Sequence, residues 1–167
     1  CRHGSDVEDL LSAGIEIIFG DTSVAAALQG GLEGCHSVIH AGCVRSAARE
    51  STYQHFNTRG TIQLAETAHQ AGVERFVFMS SIFAQGPSSP SRPHRSAGGE
   101  QPTTAYGQSL LACEAALRAS ALSDKVTVLR PGLVYGINPS PLRHWIKAVE
   151  LGIAPMREKM QLSLLHV

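Results

Sequence analysis

The stretch TTAYGQSLLACE, residues 103–114, places a tyrosine near the start of a predicted helix and a leucine four positions later. A phenol has an ordinary pKa of about 10, so it exchanges a proton readily at neutral pH only if a neighbouring charge makes it more acidic. Residues i and i+4 share a helix face, so a lysine at the second position would supply that charge. Leu110 cannot, and Tyr106 is therefore a candidate acid/base without a cation on its own helix face.

Leu110 also has a simple packing interpretation. Four side chains recur at helical spacing and predict one stripe along the helix: Tyr106, Leu110, Cys113 and Leu117. The cations nearest in sequence are poorly placed, because Arg118 lies two turns beyond Leu110 and Lys125 lies on or beside the next predicted strand. Two interpretations stay open: an enzyme with little proton-transfer power, or a protein that keeps the architecture without the chemistry.

The elements that must position this helix alternate between helix and strand. Helices are predicted over 5–14, 22–30, 51–72 and 106–121, with Ser5 as the first N-cap, and strands over 15–21, 36–42, 73–81, 125–132 and 160–167. The nearly continuous apolar run in 73–81 indicates a central strand covered on both faces. This order predicts an α/β fold, a doubly wound parallel sheet that binds ligands at the carboxyl ends of its strands.

Composition narrows the class of protein. The 167 residues are 43% hydrophobic and their formal net charge is zero, which indicates one globular domain over 1–167 and argues against a nucleic-acid partner. No apolar run is long enough for a membrane span. The four cysteines are scattered, so we expect no metal site and a reduced, cytoplasmic setting. Residues 87–104 are rich in Pro, Ser and Gly, which predicts an irregular loop, either a mobile surface insertion or a lid over a substrate.

Six short motifs in a fixed order resemble the extended short-chain dehydrogenase/reductase family, which includes NAD-dependent epimerases/dehydratases and hydroxysteroid-dehydrogenase-like proteins. They are GD (20–21), VIHAG (38–42), NTRGT (57–61), FVFMSSIFAQG (76–86), AYGQS (105–109) and LRPGLVYG (129–136). Each motif alone is weak, but together they extend over essentially the whole chain.

The resemblance implies a Rossmann-like fold, NAD or NADP as cofactor, and a small-molecule substrate. It implies that Ser81 and Tyr106 are the catalytic residues, with Tyr106 passing a proton while hydride moves at the nicotinamide. The cofactor-binding residues that it implies are Arg2, Asp21, Thr22, Ala41, Gly42, Asn57, Met79, Ser80, Pro131, Gly132 and Val134.

Several of these residues have a second interpretation. Asp21 is implied to accept a hydrogen bond from the adenine amine, and it is equally suited to capping the following helix. Ala41 and Gly42 allow the backbone to approach a dinucleotide, or form a plain tight turn. Arg2 points to the 2′-phosphate of NADP, or is an ordinary surface arginine. His40 is expected to be a buried histidine with a hydrogen-bond partner.

The chain has no GxxGxxG pattern, the turn that receives the cofactor pyrophosphate in this family. We expect a fragment of a longer protein or a natural truncation, without the first strand and most of the substrate-binding region. We therefore expect weak NAD(P) binding or none. Unpaired strand edges favour self-association, of which a homodimer is one form. The expected function is oxidation, reduction or epimerisation at a hydroxyl/ketone centre of a nucleotide-sugar, steroid-like or related substrate; the alternative is a catalytically silent NAD(P)-binding or scaffolding protein.

Overall fold

The computed structural model describes residues 4–89, 91, 93–94, 98–135, 147–148, 150–152 and 164–166. The chain divides into two compact units, Cys1–Leu129 and Arg130–Val167. Across the described ranges, no helix is both long and apolar enough to cross a membrane.

The first unit alternates helices with three strands. Its helices are α1 (Glu8–Ser12), α2 (Ala25–Leu32), α3 (Glu50–Tyr53), α4 (Gly60–Gln70) and α5 (Ala105–Arg118), and its strands are β1 (Ser37–His40), β2 (Arg75–Met79) and β3 (Val126–Leu129). A π-helical segment, Gln54–Arg59, joins α3 to α4 and makes one helical run. Short 3-10 turns lie at Ile82–Ala84 and Ser123–Lys125.

The three strands form a parallel sheet in the order β1-β2-β3, with Val38 beside Phe76 and Phe76 beside Val126. The connecting helices α4 and α5 both pack on the same face of the sheet, as the right-handed crossover rule requires for strands in sequential order. The core lies there, where Phe76 and Phe78 of the sheet meet apolar side chains of α4 and α5. The predicted α/β class, a Rossmann-like parallel sheet with helices, is confirmed.

The second unit contains a two-stranded parallel sheet. Strand β4 (Leu133–Tyr135) pairs with β5 (Leu164–His166), with Leu133 beside Leu164. Residues 164–166 fall within the strand that the sequence predicted for 160–167.

Three local expectations are wrong. Helix α1 has Val7 at its N-cap, with no side-chain cap, instead of Ser5. Residues 15–21 form no strand in the structure, because β-branched side chains favour an extended chain but a ladder also needs a neighbouring strand edge. The strand in 73–81 is not fully covered on both faces either: Val77 and Met79 of β2 are only half-buried on the face opposite α4 and α5, where Ile39 of β1 is 71% exposed.

The predicted irregular loop is tied down near its ends. Among its described residues, 87–89, 91, 93–94 and 98–104, none is helical. His94 Nε2 lies 2.7 Å from the Gly86 carbonyl oxygen, and the Gln101 amide donates to the Gln85 carbonyl.

Candidate functional site

The carboxyl ends of the parallel strands meet at one edge of the sheet, which is where α/β proteins bind ligands. Strand β1 ends at His40 and continues into Ala41 and Gly42, whereas β2 ends at Met79 and continues into Ser80. Predicted site residues from two separate motifs therefore lie along this edge.

A cleft of about 290 Å³ lies at the end of β1. Its lining residues are Gly20, Asp21, Thr22, Ala41, Gly42, Cys43, Val44 and Phe56. Four of them, Asp21, Thr22, Ala41 and Gly42, are residues that the sequence predicted to bind the cofactor. The volume lies near the lower end of the range for small-molecule sites, about 300–1,000 Å³, so part of a dinucleotide fits better than a whole one.

The Asp21 carboxylate is held by its own turn. Its Oδ1 atom accepts hydrogen bonds from the Ser23 amide at 2.8 Å and the Ser23 hydroxyl at 2.7 Å. Helix α2 has Val24 at its N-cap position, so Asp21 orders the approach to the helix and is not its N-cap. A carboxylate fixed in this way on a cleft wall is a suitable acceptor for an amine or hydroxyl of a ligand.

Gly42 leaves open space on the other wall of the cleft. A Cβ atom added there would meet only the His40 ring, at 3.9 Å, which is an ordinary contact. The absence of a side chain therefore keeps the cleft open and is not required by packing around Gly42.

His40 is buried and bonded, as expected. Its Nε2 atom lies 2.9 Å from Thr61 Oγ1, and its ring stacks 5.5 Å from the Phe78 ring. Burial lowers the pKa of His40 from 6.5 to about 4, so the ring is neutral at physiological pH. It belongs to the core beneath the site.

Asn57 clamps the loop that follows β1. It is fully buried, its Oδ1 accepts from the Val44 amide at 2.8 Å, and its Nδ2 donates to the Val44 carbonyl at 3.0 Å. Nδ2 also donates to Ser109 Oγ, which in turn donates to the Tyr106 carbonyl. The predicted cofactor role of Asn57 stays a prediction; in the structure its side chain joins the cleft wall to α5.

Tyr106 lies half-buried in the first turn of α5. Its ring centroid lies 6.5 Å from that of Tyr53 and 6.0 Å from that of Phe83. Thr104 caps the helix by accepting from the Gly107 amide. The tyrosine is thus fixed between the helical run after β1 and the 3-10 turn after β2.

The charges around Tyr106 oppose one another. Burial raises the pKa of Tyr106 above its ordinary value; Cys43 raises it further, Arg45 lowers it, and Cys113 adds a smaller increase. The phenol is therefore protonated at neutral pH. The Cys43 thiol is also neutral there, because burial and then Cys113 raise its pKa to about 12.

Leu110 lies in the core, with no exposed surface. Cys113 and Leu117 are buried on the same stripe, which confirms the predicted packing face of α5. No charge can reach the Tyr106 phenol from position 110 of this chain.

The two serines after β2 have different surroundings. Ser81 is half-buried and caps the 3-10 turn, where its hydroxyl accepts from the Phe83 amide at 3.3 Å. Ser80 is buried, and its hydroxyl donates to Glu114 Oε1 at 2.6 Å. Glu114 also bonds Arg118, so Ser80 fastens the end of β2 to α5 while Ser81 faces the partly exposed side.

The remaining predicted residues are distributed over the chain. Met79 ends β2 on the less covered face of the sheet. Pro131, Gly132 and Val134 belong to the second unit, at or just before β4. Arg2 lies outside the described residues. Within those residues no group of three or more His, Cys, Asp or Glu side chains converges as a metal site would.

Comparison with known proteins decides the family. Residues 2–166 match the NAD dependent epimerase/dehydratase family. The chain belongs to this family. An uncharacterised protein of Sinorhizobium fredii is 30% identical over 161 residues, which cover 92% of this chain and 45% of that protein. A UDP-glucose 4-epimerase of Vibrio cholerae is 34% identical over 105 residues, which cover 61% of this chain and 32% of that protein.

Solved structures of the epimerase/dehydratase type share the fold. A double mutant of the dTDP-glucose 4,6-dehydratase DesIV from Streptomyces venezuelae, with NAD bound, superimposes with a TM-score of 0.76 at 19% identity. The alignment covers 99% of this chain and 56% of that one. This likeness concerns the fold alone, and the chain spans less than two thirds of each of these three proteins.

Sequence reasoning within the epimerase/dehydratase motifs missed Cys43, Arg45 and Tyr53 near Tyr106. All three lie on or beside the loop after β1, and the motif that ends at Gly42 stops just before it. The sequence does contain a signal for Arg45: it is a basic residue three positions after the predicted strand 36–42, and the ends of such strands form the sheet edge where ligands bind.

Proposed function

We propose that this chain forms the cofactor-binding and proton-transfer part of an NAD(P)-dependent epimerase/dehydratase or dehydrogenase that acts on a hydroxyl/ketone centre. A nucleotide sugar is the favoured substrate class, since the Vibrio and Streptomyces relatives are named for such substrates; a steroid-like alcohol is the other. One observation carries the proposal: Tyr106 packs against the turn that Ser81 caps, on the same sheet edge as the cleft lined by Asp21 and Gly42.

The residues have separate roles. Asp21 is a suitable acceptor for the adenine amine, and Ala41 and Gly42 let the backbone approach the cofactor closely. Bound NAD(P) supplies hydride transfer to or from the substrate carbon. Whether the cofactor carries a 2′-phosphate depends on contacts such as the one proposed for Arg2.

Tyr106 handles the proton that accompanies the hydride. When an alcohol is oxidised, the substrate O–H bond breaks and its proton moves to the Tyr106 oxygen; in reduction, Tyr106 donates that proton to the ketone oxygen. Ser81 hydrogen-bonds the same substrate oxygen. Because the raised pKa keeps the phenol protonated at neutral pH, reduction is the better-served direction and oxidation needs higher pH.

Leu110 supports a second candidate, a catalytically silent NAD(P)-binding or scaffolding protein. A fully buried leucine provides neither a charge for the phenolate nor a donor for the nicotinamide ribose. In that case the cleft would still bind the cofactor.

The two candidates differ in turnover. The test uses the full-length gene product and follows nicotinamide absorbance with a hydroxysteroid, where a net hydride transfer occurs. With UDP-glucose and dTDP-glucose it follows sugar product by chromatography, because epimerisation and dehydration return the hydride to the sugar. We expect Tyr106→Phe to lower the rate by less than the roughly 10² to 10⁴ that general acid/base help is worth, because Leu110 provides no charge for the phenolate, and Ser81→Ala to lower it less. A rate that Tyr106→Phe leaves unchanged would contradict the enzyme proposal; cofactor binding without turnover on any substrate would favour the silent protein.

A further inference from the structure

We propose that Arg45, from the loop after β1, stabilises the phenolate of Tyr106 and so takes over part of the electrostatic role that Leu110 cannot perform. This inference rests on the proposed acid/base role of Tyr106. Arg45 acts through Tyr106 and is therefore a positioning residue for charge, not a catalytic residue.

The residue before Arg45 is tied to the helix that carries Tyr106. Both backbone groups of Val44 bind the Asn57 side chain, at 2.8 and 3.0 Å. The same side chain donates to Ser109 at 2.9 Å, and Ser109 donates to the Tyr106 carbonyl at 2.7 Å. Two side chains, those of Asn57 and Ser109, thus connect the start of the loop to the first turn of α5 through four hydrogen bonds.

The loop is tied a second time just after Arg45. The Ala47 amide donates to the Tyr53 hydroxyl at 3.0 Å, and the Tyr53 ring lies against the Tyr106 ring. Arg45 is therefore held between two anchors, and both anchors contact Tyr106 or its helix turn. The backbone on both sides of Arg45 is thus fixed beside the elements that hold Tyr106.

The sign of the charge matters at this place. Among the described residues, the titratable groups that act on Tyr106 are Cys43 and Arg45 from the loop and Cys113 from α5, and of these Arg45 favours the phenolate. A guanidinium stays charged throughout the pH range in which a phenol titrates, unlike a buried lysine. Arg45 is exposed, so salt should weaken its effect.

The test measures the titration midpoint of the phenol at position 106. A ring-fluorinated tyrosine is incorporated at position 106 of the 167-residue chain, without cofactor. Its phenol titrates in an accessible pH range, and fluorine NMR detects this residue alone. Arg45→Met should raise its titration midpoint by a few tenths of a pH unit at low salt, and this difference should shrink at roughly 1 M salt. Arg45→Lys should restore most of the original midpoint.

Arg49→Met is the matched control, because Arg49 is an exposed arginine farther along the same loop. It should leave the midpoint in place. The inference is overturned if Arg45→Met does not move the midpoint, or if Arg49→Met moves it equally. Since neither cofactor nor turnover is involved, failure here is distinct from failure of the proposed function, which the turnover assay tests.

Discussion

Leu110 lies one turn after Tyr106 on α5, and its side chain is completely buried while the tyrosine remains half-exposed. The helix position from which a charged side chain could lower the pKa of the Tyr106 phenol is thus occupied by a core residue. Leu110→Lys, made in the full-length gene product, should raise turnover by about 10² to 10⁴, because a lysine stem can carry its ammonium towards the helix start. The steady-state rate with a nucleotide sugar measures this.

The same change should destabilise the fold. A lysine replaces a fully buried leucine and leaves its charge partly desolvated, so we expect a loss of about 2–4 kcal/mol in the free energy of unfolding. Leu110→Met, which has similar volume and no charge, should cost less than about 1.5 kcal/mol and leave turnover unchanged. Equal turnover in the Lys and Met variants, with cofactor still bound, would favour the silent protein.

Gly107 sits where α5 meets the turn after β2. A Cβ atom at this position would lie 2.9 Å from the Phe83 carbonyl carbon and still closer to its oxygen, and backbone cannot move aside cheaply. Gly107→Ala should therefore destabilise the protein by about 1–3 kcal/mol in urea unfolding. Gly30→Ala in helix α2, where nothing lies within 4 Å, should be neutral or stabilise by up to about 1 kcal/mol. Similar urea midpoints for the two variants would show that Gly107 does not lie this close to the Phe83 backbone.

Because of His40, the free energy of unfolding should depend on pH in the acid range. The pKa of His40 falls from 6.5 to about 4 on burial, so between these values the unfolded chain binds a proton that the folded chain does not. The free energy of unfolding should decrease as pH falls from 6.5 to 4, by up to ~3 kcal/mol. His40→Gln, which can still bond Thr61, should have a flatter profile over this range. Parallel profiles for the two proteins would contradict the buried neutral histidine.

Local periodicity predicted part of this structure well. Leu110, Cys113 and Leu117 fall on one helical stripe in the sequence, and they are buried together because α5 packs that stripe on the sheet. Asp21 and Gly42 are the last residues of successive predicted strands, and they share the cleft although residues 15–21 form no ladder. Short-range patterns were sufficient for these features.

Features that depend on distant partners were not predictable in this way. Residues 15–21 have strand-forming side chains, but pairing depends on a neighbouring edge that no local pattern specifies. Arg45 was missed because the search for a cation followed the i, i+4 rule along α5. The placement of its loop beside α5 depends on Asn57 and Tyr53, which bind the loop from another helical run.

Binding of a dinucleotide in the cleft beside β1 is measured most directly by backbone amide NMR during titration of the 167-residue chain with NAD or NADP. We expect weak binding, because the sequence has no Gly-rich pyrophosphate turn, with shifts concentrated at Asp21, Thr22, Ala41 and Gly42. Gly42→Val, whose side chain would occupy part of the open space in the cleft, should reduce these shifts without unfolding the protein, whereas Gly30→Ala should retain them. Shifts that arise elsewhere, or that persist unchanged in Gly42→Val, would contradict a cofactor site in this cleft.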